Sequence, residues 1–551
     1  MPTLHWIGKE KVINHHLDVP FKTLEHSYGF LNGIQTSQET GSGNKIIHGD
    51  NLEALKALLP EYEGRIKCIY IDPPYNTGNE GWAYNDNVND PKIRKWLGYV
   101  VGKESDDLSR HDKWLCMMYP RLKLLHKLLS EDGAIFISLD ENETVHLRCL
   151  MNEIFGENNF VSQITLLCNP KGRSQDKYFS TSHEYITVYS KTKLPKDAFS
   201  VTKDEELVAK EYKLIDTNGR YRLLELRNTH REFSRVNRPN LFYPFFVDPV
   251  TGNVSLNRKS GLEIEVYPLW PDGFEGCWTW GKELSRKDNH LLIAQKIRGN
   301  WKVFRKSYSA SDEGDNVKKK LFTIWQDPRF FTEKGQVAFG QIFPGLNKND
   351  FPQPKSVDLI TEIFNTCTKS GDIVLDSFGG SGTSAQALLN LNQQDNGNRK
   401  FILIEMMDYA DSITCERIKR VIKGSEGNDK LPGAFDFYEL GYPLFSANGD
   451  LSESVGEEKI REYIYYTETK TSLTGPLPND NKYFLGKHND TAYYLHYKNG
   501  EITTLDHAFL ATMKTKAGEY VIYADNCLLT RDFLINRHII FKKIPRDISR
   551  F

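Results

Sequence analysis

Four consecutive residues, Asp72, Pro73, Pro74 and Tyr75, follow the apolar run RIKCIYI and could together hold an amino group. Two prolines fix the backbone and lack N–H donors, so this turn is stiff and presents carbonyl oxygens. The Asp72 carboxylate and a proline carbonyl can accept both hydrogens of one NH₂ group. The Tyr75 ring offers a flat face to a base that has left its duplex. A structural Pro-Pro turn is the alternative, and the position after a buried strand favours the functional interpretation.

A glycine-rich turn, DSFGGSGT at residues 376–383, is a second candidate site. It follows the apolar run DIVL and opens a helical pattern, so glycines permit close approach of a ligand and the helix start leaves free N–H groups. Its spacing matches neither the dinucleotide motif GxGxxG nor GK[ST]. The turn suits a ligand that carries a carboxylate, with a purely structural turn as the alternative.

Two further carboxylates end predicted strands. Glu405 closes FILIE and Asp50 follows KIIHG. An acidic residue one strand beyond a glycine turn often binds ribose hydroxyls, and Asp50 could meet an adenine amino group. Taken singly, each is better explained as a helix cap or a surface charge.

The elements that must position these residues alternate apolar strands with amphipathic helices. The strands are KIIHGDN, RIKCIYI, GAIFISL, SHEYITVYSKT, DIVLD and RKFILIE, and the helices include LEALKALL, MYPRLKLLHKLLS and SVDLITEIFNTCT. This alternation predicts an α/β fold with a parallel sheet. The sheet comes in two pieces, so we divide the chain into an N-terminal extension 1–39, a catalytic half 40–190, an insertion 191–345, a cofactor half 346–430 and a Tyr-rich C-terminal α+β domain 431–551.

The insertion is the basic part of the chain. Residues 191–345 hold 27 Lys and Arg against 20 Asp and Glu, whereas the whole chain has a net charge of −2. Five tryptophans lie between these charges, which suits phosphate contact and base stacking. A small domain with aromatic core and solvated charges is the alternative that this segment alone favours.

The composition excludes several other classes of protein. The eight cysteines are scattered without CxxC or Cys/His spacing, so we predict reduced thiols and no metal site. No run reaches the ~20 apolar residues of a membrane span. The N-terminus lacks the layout of a signal peptide. We expect a cytoplasmic protein.

The ordered motifs GDNLEALKALL, IKCIYIDPPYNTGN, HDKWLCMMYPRLKLLHKLL, GAIFISLDENE, HEYITVYSKT, PKSVDLI, LDSFGGSGTSAQALLNLN and RKFILIE resemble those of β-group DNA amino-methyltransferases. Within that group the chain is most similar to modification (Mod) subunits of type III restriction–modification systems. The resemblance covers residues 40–425. It implies a circularly permuted, Rossmann-like methyltransferase fold, because the DPPY motif precedes the cofactor turn by 304 residues, with a target-recognition domain as the insertion.

The resemblance also implies roles for single residues. Asp72, Pro73 and Pro74 would form the amino-group site and Tyr75 would stack on the base, while residues 76–111 would lie over the DNA. S-adenosylmethionine would be the cofactor, contacted by residues that cluster near the glycine turn: Asp50, Asp376, Phe378, Gly380, Gly382, Thr383 and Glu405.

Several alternatives stay open at this point. Asp72 at the first motif position favours adenine N6, and cytosine N4 presents a similar amino group. A recognition subunit without catalysis is the other alternative, which the intact DPPY and glycine turn disfavour. The resemblance implies double-stranded DNA, a homodimer and a helicase-nuclease (Res-type) subunit as partners.

Overall fold

The computed structural model describes residues 3–77, 95, 98–99, 109–174, 176–203, 205–310, 317–346, 351, 353–424, 430–446, 448–473 and 480–546. The chain divides into two compact units, Met1–Ala198 with Phe322–Phe551, and Phe199–Leu321.

Strands and helices alternate along most of the chain. Up to residue 198 they are α1 Lys9–Val12, α2 His15–Asp18, β1 Lys22–Leu31, β2 Ile34–Thr36, β3 Lys45–His48, α3 Asn51–Tyr62, β4 Ile66–Ile71, α4 Arg110–Leu128, β5 Leu129–Leu139, α5 Thr144–Phe155, β6 Phe160–Leu167 and β7 His183–Ser190. The second unit holds β8 Ser200–Thr202, α6 Glu205–Glu211, β9 Leu214–Asp216, β10 Gly219–Glu225, β11 Phe245–Val247, β12 Val254–Ser255, β13 Ile264–Val266, α7 Lys282–Lys287, β14 Leu292–Ile297, β15 Asn300–Tyr308 and β16 Lys318–Lys320.

The first unit then continues to the end of the described chain. Its remaining elements are β17 Ile324–Trp325, α8 Thr332–Ile342, α9 Val357–Cys367, β18 Ile373–Asp376, α10 Thr383–Asp395, β19 Lys400–Glu405, α11 Glu416–Lys423, β20 Ala434–Pro443, α12 Glu457–Thr469, β21 Phe484–His488, β22 Thr491–Leu495, β23 Thr504–Leu505, α13 His507–Thr512, β24 Glu519–Ala524, β25 Asn526–Cys527, α14 Arg531–Asn536 and β26 Ile539–Lys543.

One large sheet organises the first unit. Its strand order is β17-β6-β7-β5-β4-β18-β19-β3-β20-β1-β2. The six central strands, from β5 to β20, run parallel, whereas β7 runs antiparallel between β5 and β6. This sheet, in which the two halves of the chain lie side by side, confirms the predicted permuted α/β methyltransferase fold.

The central pairing of the sheet joins β4 to β18. Cys68 lies opposite Val374 and Ile69 lies opposite Leu375. Both strands are short apolar runs buried in the core, as expected for strands of a parallel sheet that is covered on both faces. Because parallel strands end at the same edge, Asp72 and Asp376 are brought to one edge of the sheet.

Both terminal segments take part in this sheet, which differs from the predicted boundaries. Strand β20, placed by sequence in a separate domain from residue 431, pairs with β3. Strand β1, placed in an N-terminal extension, pairs with β20 on its other side. The alternating pattern of AFDFYELGYP indicates a strand but cannot indicate the sheet that it joins. The segment after β20 builds two smaller sheets, β21-β22-β24-β26 and β23-β25.

The second unit is narrower than the predicted insertion, because residues 191–198 and 322–345 belong to the first unit. It contains a four-stranded antiparallel sheet, β14-β15-β10-β9, and a three-stranded one, β12-β11-β13. Trp278 is in its core, 2% exposed, while Arg227 and Arg231 lie 4.1 and 4.7 Å from the centre of the Trp270 ring. Its tryptophans therefore include core residues, as the alternative interpretation expected.

Among the described residues, no helix combines the length and apolar character needed to cross a membrane.

Asp436 links the two terminal segments and provides a stability test. Its buried carboxylate accepts hydrogen bonds from Thr40 N at 2.8 Å and Thr40 Oγ1 at 2.7 Å, and pairs with His26 Nε2 at 3.1 Å. We expect Asp436→Ala to lower the free energy of unfolding by about 2–4 kcal/mol, because buried donors lose a charged acceptor. Urea unfolding monitored by circular dichroism measures this loss.

Asp490→Ala is the matched control, because that carboxylate is 77% exposed and pairs with Lys487 on the surface. Equal unfolding midpoints for the two variants would contradict the role given to Asp436.

Candidate active site

Asp72 of the DPPY motif and the glycine turn line one narrow cavity of about 30 Å³. Tyr70 and Asp72 reach it from the end of β4, and Asp376, Phe378 and Gly380 from the end of β18. The two motifs that the sequence predicts to cooperate are therefore adjacent in space.

The Pro-Pro turn is fixed from behind by α4. Trp114, which is fully buried, donates from Nε1 to the Pro74 carbonyl at 2.8 Å. No hydrogen bond to the Pro73 carbonyl is found within the described part of the chain. Pro73 thus has a carbonyl available beside the Asp72 carboxylate, whose Oδ1 is buried without a well-aligned hydrogen-bond donor among the described residues.

Lys355, which the sequence analysis did not single out, is the central charge of the site. Its Nζ lies 3.3 Å from Asp72 Oδ1 and 2.9 Å from Glu184 Oε2, and it donates to the Tyr75 hydroxyl at 2.5 Å. Tyr75 in turn donates to Glu184 at 3.0 Å. Glu184 is the second residue of the antiparallel strand β7, which is why its side chain reaches the edge where β4 ends.

This buried cluster holds one cation against two carboxylates. Burial raises the pKa of Asp72, an effect that Lys355 opposes and Glu184 reinforces. Burial also acts to raise the pKa of Glu184, but the Lys355 charge and hydrogen bonds outweigh it, and the net change is a lowering. The two carboxylates outweigh desolvation at Lys355 and hold its pKa well above the usual value. The lysine therefore stays charged and favours ionised carboxylates.

The Tyr75 ring is packed inside the protein and is not exposed to solvent. It is 7% exposed, and the Lys355 ammonium lies 4.8 Å from its ring centre. The ring is thus packed inside the site, with the lysine ammonium at its hydroxyl end.

The glycine turn is held by groups beneath it. Asp376 accepts from Phe378 N at 3.0 Å and Ser384 Oγ at 2.5 Å, and burial raises its pKa to about 7. Gly382 has a φ of +80°, and a Cβ there would meet the Thr414 carbonyl at 3.0 Å, so glycine is required at this position.

Thr383 is engaged from the inner side of the turn. Arg417, buried in the core, donates to Thr383 Oγ1 at 2.8 Å and to Ser381 Oγ at 2.7 Å. The predicted cofactor-binding role of Thr383 thus depends on its backbone or on a hydroxyl that already accepts this hydrogen bond.

Glu405 and Asp50 end the next two strands of the same edge. Glu405 accepts from Gly380 N at 2.7 Å and from Met407 N at 2.9 Å, so it pins the glycine turn. Asp50 caps α3 by accepting from Leu52 N at 2.8 Å. The carbonyl of Glu405 accepts from Gly49 N at 3.0 Å, which brings the two acidic residues to neighbouring positions.

A second polar cluster holds Asn76, the residue that follows the DPPY motif. Asn76, His111 and His146 all direct a nitrogen at the buried Glu143 carboxylate, with 2.7 Å from His111 Nδ1 and 2.8 Å from His146 Nδ1. Within the described residues this is a group whose donor atoms lie close enough to hold a metal ion. Arg110 donates to His111 Nε2 at 3.4 Å, which leaves the ring proton on Nδ1 and favours a hydrogen-bond network.

Comparison with known proteins identifies the family. A family model described as DNA methylase, for N6 and N4 methyltransferases, matches residues 66–416. The chain is similar to the EcoPI Mod subunit, a type III restriction–modification enzyme of Escherichia phage P1, with 35% identity over 77% of this chain and 68% of that protein. It is also similar to the type II methyltransferase M.KpnI of Klebsiella pneumoniae, with 36% identity over 66% of this chain and 81% of that protein.

The likeness to solved structures is weaker. The PvuII DNA methyltransferase, described as cytosine-N4-specific, is 13% identical, with a TM-score of 0.31 over 68% of this chain and 86% of that one.

The chain belongs to the DNA methylase family of N6 and N4 amino-methyltransferases. It is a DNA methyltransferase whose cofactor is S-adenosylmethionine, as predicted.

The residues of the turn fit this cofactor in chemistry. Ser377 Oγ is buried and has no hydrogen-bond partner among the described residues, and Gly380, with a φ of +52°, leaves the turn open beside it. The Phe351 ring lies over Gly380 and narrows the cavity.

Replacement of Lys355 tests the charge balance of the site. We expect Lys355→Met to shift the acid side of the pH–activity profile to higher pH, because loss of the cation raises the pKa of Asp72 further. Transfer of tritiated methyl groups to DNA between pH 5.5 and pH 9 measures the profile.

Lys369→Met, on the exposed surface, is the control and should keep the wild-type profile. An unshifted acid side in Lys355→Met would refute the role of the lysine in ionising Asp72.

Proposed function

We propose that this protein methylates N6 of adenine in double-stranded DNA at a specific sequence. The observation that supports the proposal is the meeting of Asp72 and the glycine turn in one cavity. The cavity brings the Asp72 carboxylate, an acceptor for an NH₂ group, next to the site expected for the methyl donor.

The reaction needs alignment more than proton abstraction. Bound S-adenosylmethionine supplies an electrophilic methyl group. Asp72 and the Pro73 carbonyl would accept the two amino hydrogens, which directs the nitrogen lone pair at that methyl and stabilises the positive charge that develops. Lys355 keeps Asp72 ionised, and the amino proton can leave after transfer. Asp376, Glu405 and Asp50 would shape the cofactor site, with Phe378, Gly380, Gly382 and Thr383 forming its wall.

The choice of adenine as the target base is inferred from the first residue of the motif. Asp72, in place of Ser, favours adenine N6, and cytosine N4 is the competing substrate in the same family. The relatives named as type III Mod subunits support a role in a restriction–modification system. In such a role the chain would act as a homodimer with a helicase-nuclease (Res-type) subunit, and the basic second unit would read the target sequence.

Removal of the Asp72 carboxylate tests the chemistry. We expect Asp72→Ala to keep cofactor binding, since Glu405 and the glycine turn remain, and to lower methyl transfer at least about a hundredfold, because the amino group loses its acceptor. Calorimetry with S-adenosylmethionine and tritium transfer to DNA measure the two properties separately.

Asp132→Ala, a 73% exposed carboxylate near the start of β5, serves as the control with unchanged transfer. Near-normal transfer by Asp72→Ala would disprove the assignment.

The chemical identity of the methylated product shows which base is the target. We expect modified-base sequencing of DNA from cells that express the protein to show N6-methyladenine in one sequence context. N4-methylcytosine would select the alternative substrate, and unmodified DNA from cells with folded protein would favour a recognition subunit without catalysis.

A further inference from the structure

A second cavity, of about 430 Å³, opens next to the active site. Glu184 forms part of its wall, and Lys355 joins Glu184 to Asp72 through contacts of 2.9 and 3.3 Å. Its volume is within the range of about 300–1,000 Å³ typical of ligand sites. The cavity therefore adjoins the Lys355–Glu184 pair and has room for a group of nucleotide size.

One loop forms nearly half of the wall of this cavity. The β6–β7 loop, residues 168–174 and 176–182, contributes Asn169, Lys171 and Arg173. Neither Lys171 nor Arg173 has an ion-pair partner among the described residues. Glu184 is already paired with Lys355, and Glu333 is exposed on the far wall. The loop thus contributes to the cavity wall two positive charges that form no ion pair with the described part of the chain.

The tip of the same loop carries two exposed aromatic rings. Tyr178 is 81% exposed and Phe179 is 90% exposed, which is unusual for rings of this size. The described part of the loop is braced by hydrogen bonds, since Arg173 N donates to the Thr181 carbonyl at 3.0 Å and Thr181 N to Asp176 Oδ2 at 2.7 Å. Two rings presented on a braced, basic loop suit a stack of bases with its phosphates.

We propose that the β6–β7 loop extracts and holds the target nucleotide. The base would enter the large cavity toward Asp72, Lys171 and Arg173 would bind the phosphates that flank it, and Tyr178 or Phe179 would fill the gap left in the base stack. The proposal rests on the proposed function and adds the element that opens the duplex.

The test uses the full-length protein and duplexes that carry the recognition sequence found by modified-base sequencing. We expect the double variant Tyr178→Ala with Phe179→Ala to methylate a perfect duplex about tenfold more slowly or worse. On a duplex in which the target adenine faces a mismatch, the defect should largely disappear, because the base is already unpaired. The fluorescence of a 2-aminopurine at the target position should increase less with the double variant than with wild type.

The matched control removes two equally exposed apolar side chains of the same unit. Ile34→Ala with Leu528→Ala, at residues 72% and 76% exposed, should behave as wild type. In addition, Arg173→Gln should weaken binding to all sequences alike and reduce the slope of log affinity against log salt by about one.

Three results would overturn the proposal. Normal rates and normal 2-aminopurine signal in the double aromatic variant would remove the role of the rings. An equal defect on perfect and mismatched duplexes would show that the loop does not open the duplex. A changed oligomeric state by light scattering with an unchanged DNA response would place a protein partner on the loop. Failure of wild type to methylate any duplex would instead contradict the proposed function itself.

Discussion

The parallel pairing of β4 with β18 is the constraint on which the site depends. Residues of the two halves that are more than 300 positions apart share one register, with Ile69 opposite Leu375. A parallel pair ends at one edge, so the carboxylates that follow the two strands must be neighbours. The order of the motifs along the chain is therefore free to be permuted, and the insertion between them can be long without disturbing the chemistry.

Charge is the second organising factor. Glu184 is buried and the Asp72 side chain is only 11% exposed, and two carboxylates without a cation would be strongly disfavoured there. Lys355 supplies that cation just before α9, and the Tyr75 hydroxyl joins the same network. Asp72 and Lys355 of this cluster border the narrow cavity, and Glu184 borders the larger one. One ammonium group thus joins the two carboxylates that border the two cavities.

The terminal segments show how tertiary packing extends a family fold. Strand β20 lies against β3, and β1 covers β20, so both ends of the chain lengthen the sheet beyond its parallel centre. Asp436 joins them through Thr40 and His26. On the other side, β6, which the sequence analysis missed, pairs with the antiparallel β7 and sets the loop that borders the large cavity. These additions surround the site without entering it.

The sequence by itself determined the strand-helix alternation, the DPPY turn, the glycine turn and their membership of one family, because each depends on local residue types and short spacing. It also indicated Asp50, Asp376 and Glu405 at strand ends. Only the tertiary structure decided that Lys355 and Glu184 complete the site, that Trp114 occupies the Pro74 carbonyl and that β20 belongs to the main sheet. These contacts join residues that are separated by 40 positions in one case and by more than 350 positions in another. Hydrophobic periodicity holds no information about which distant strand a side chain will face.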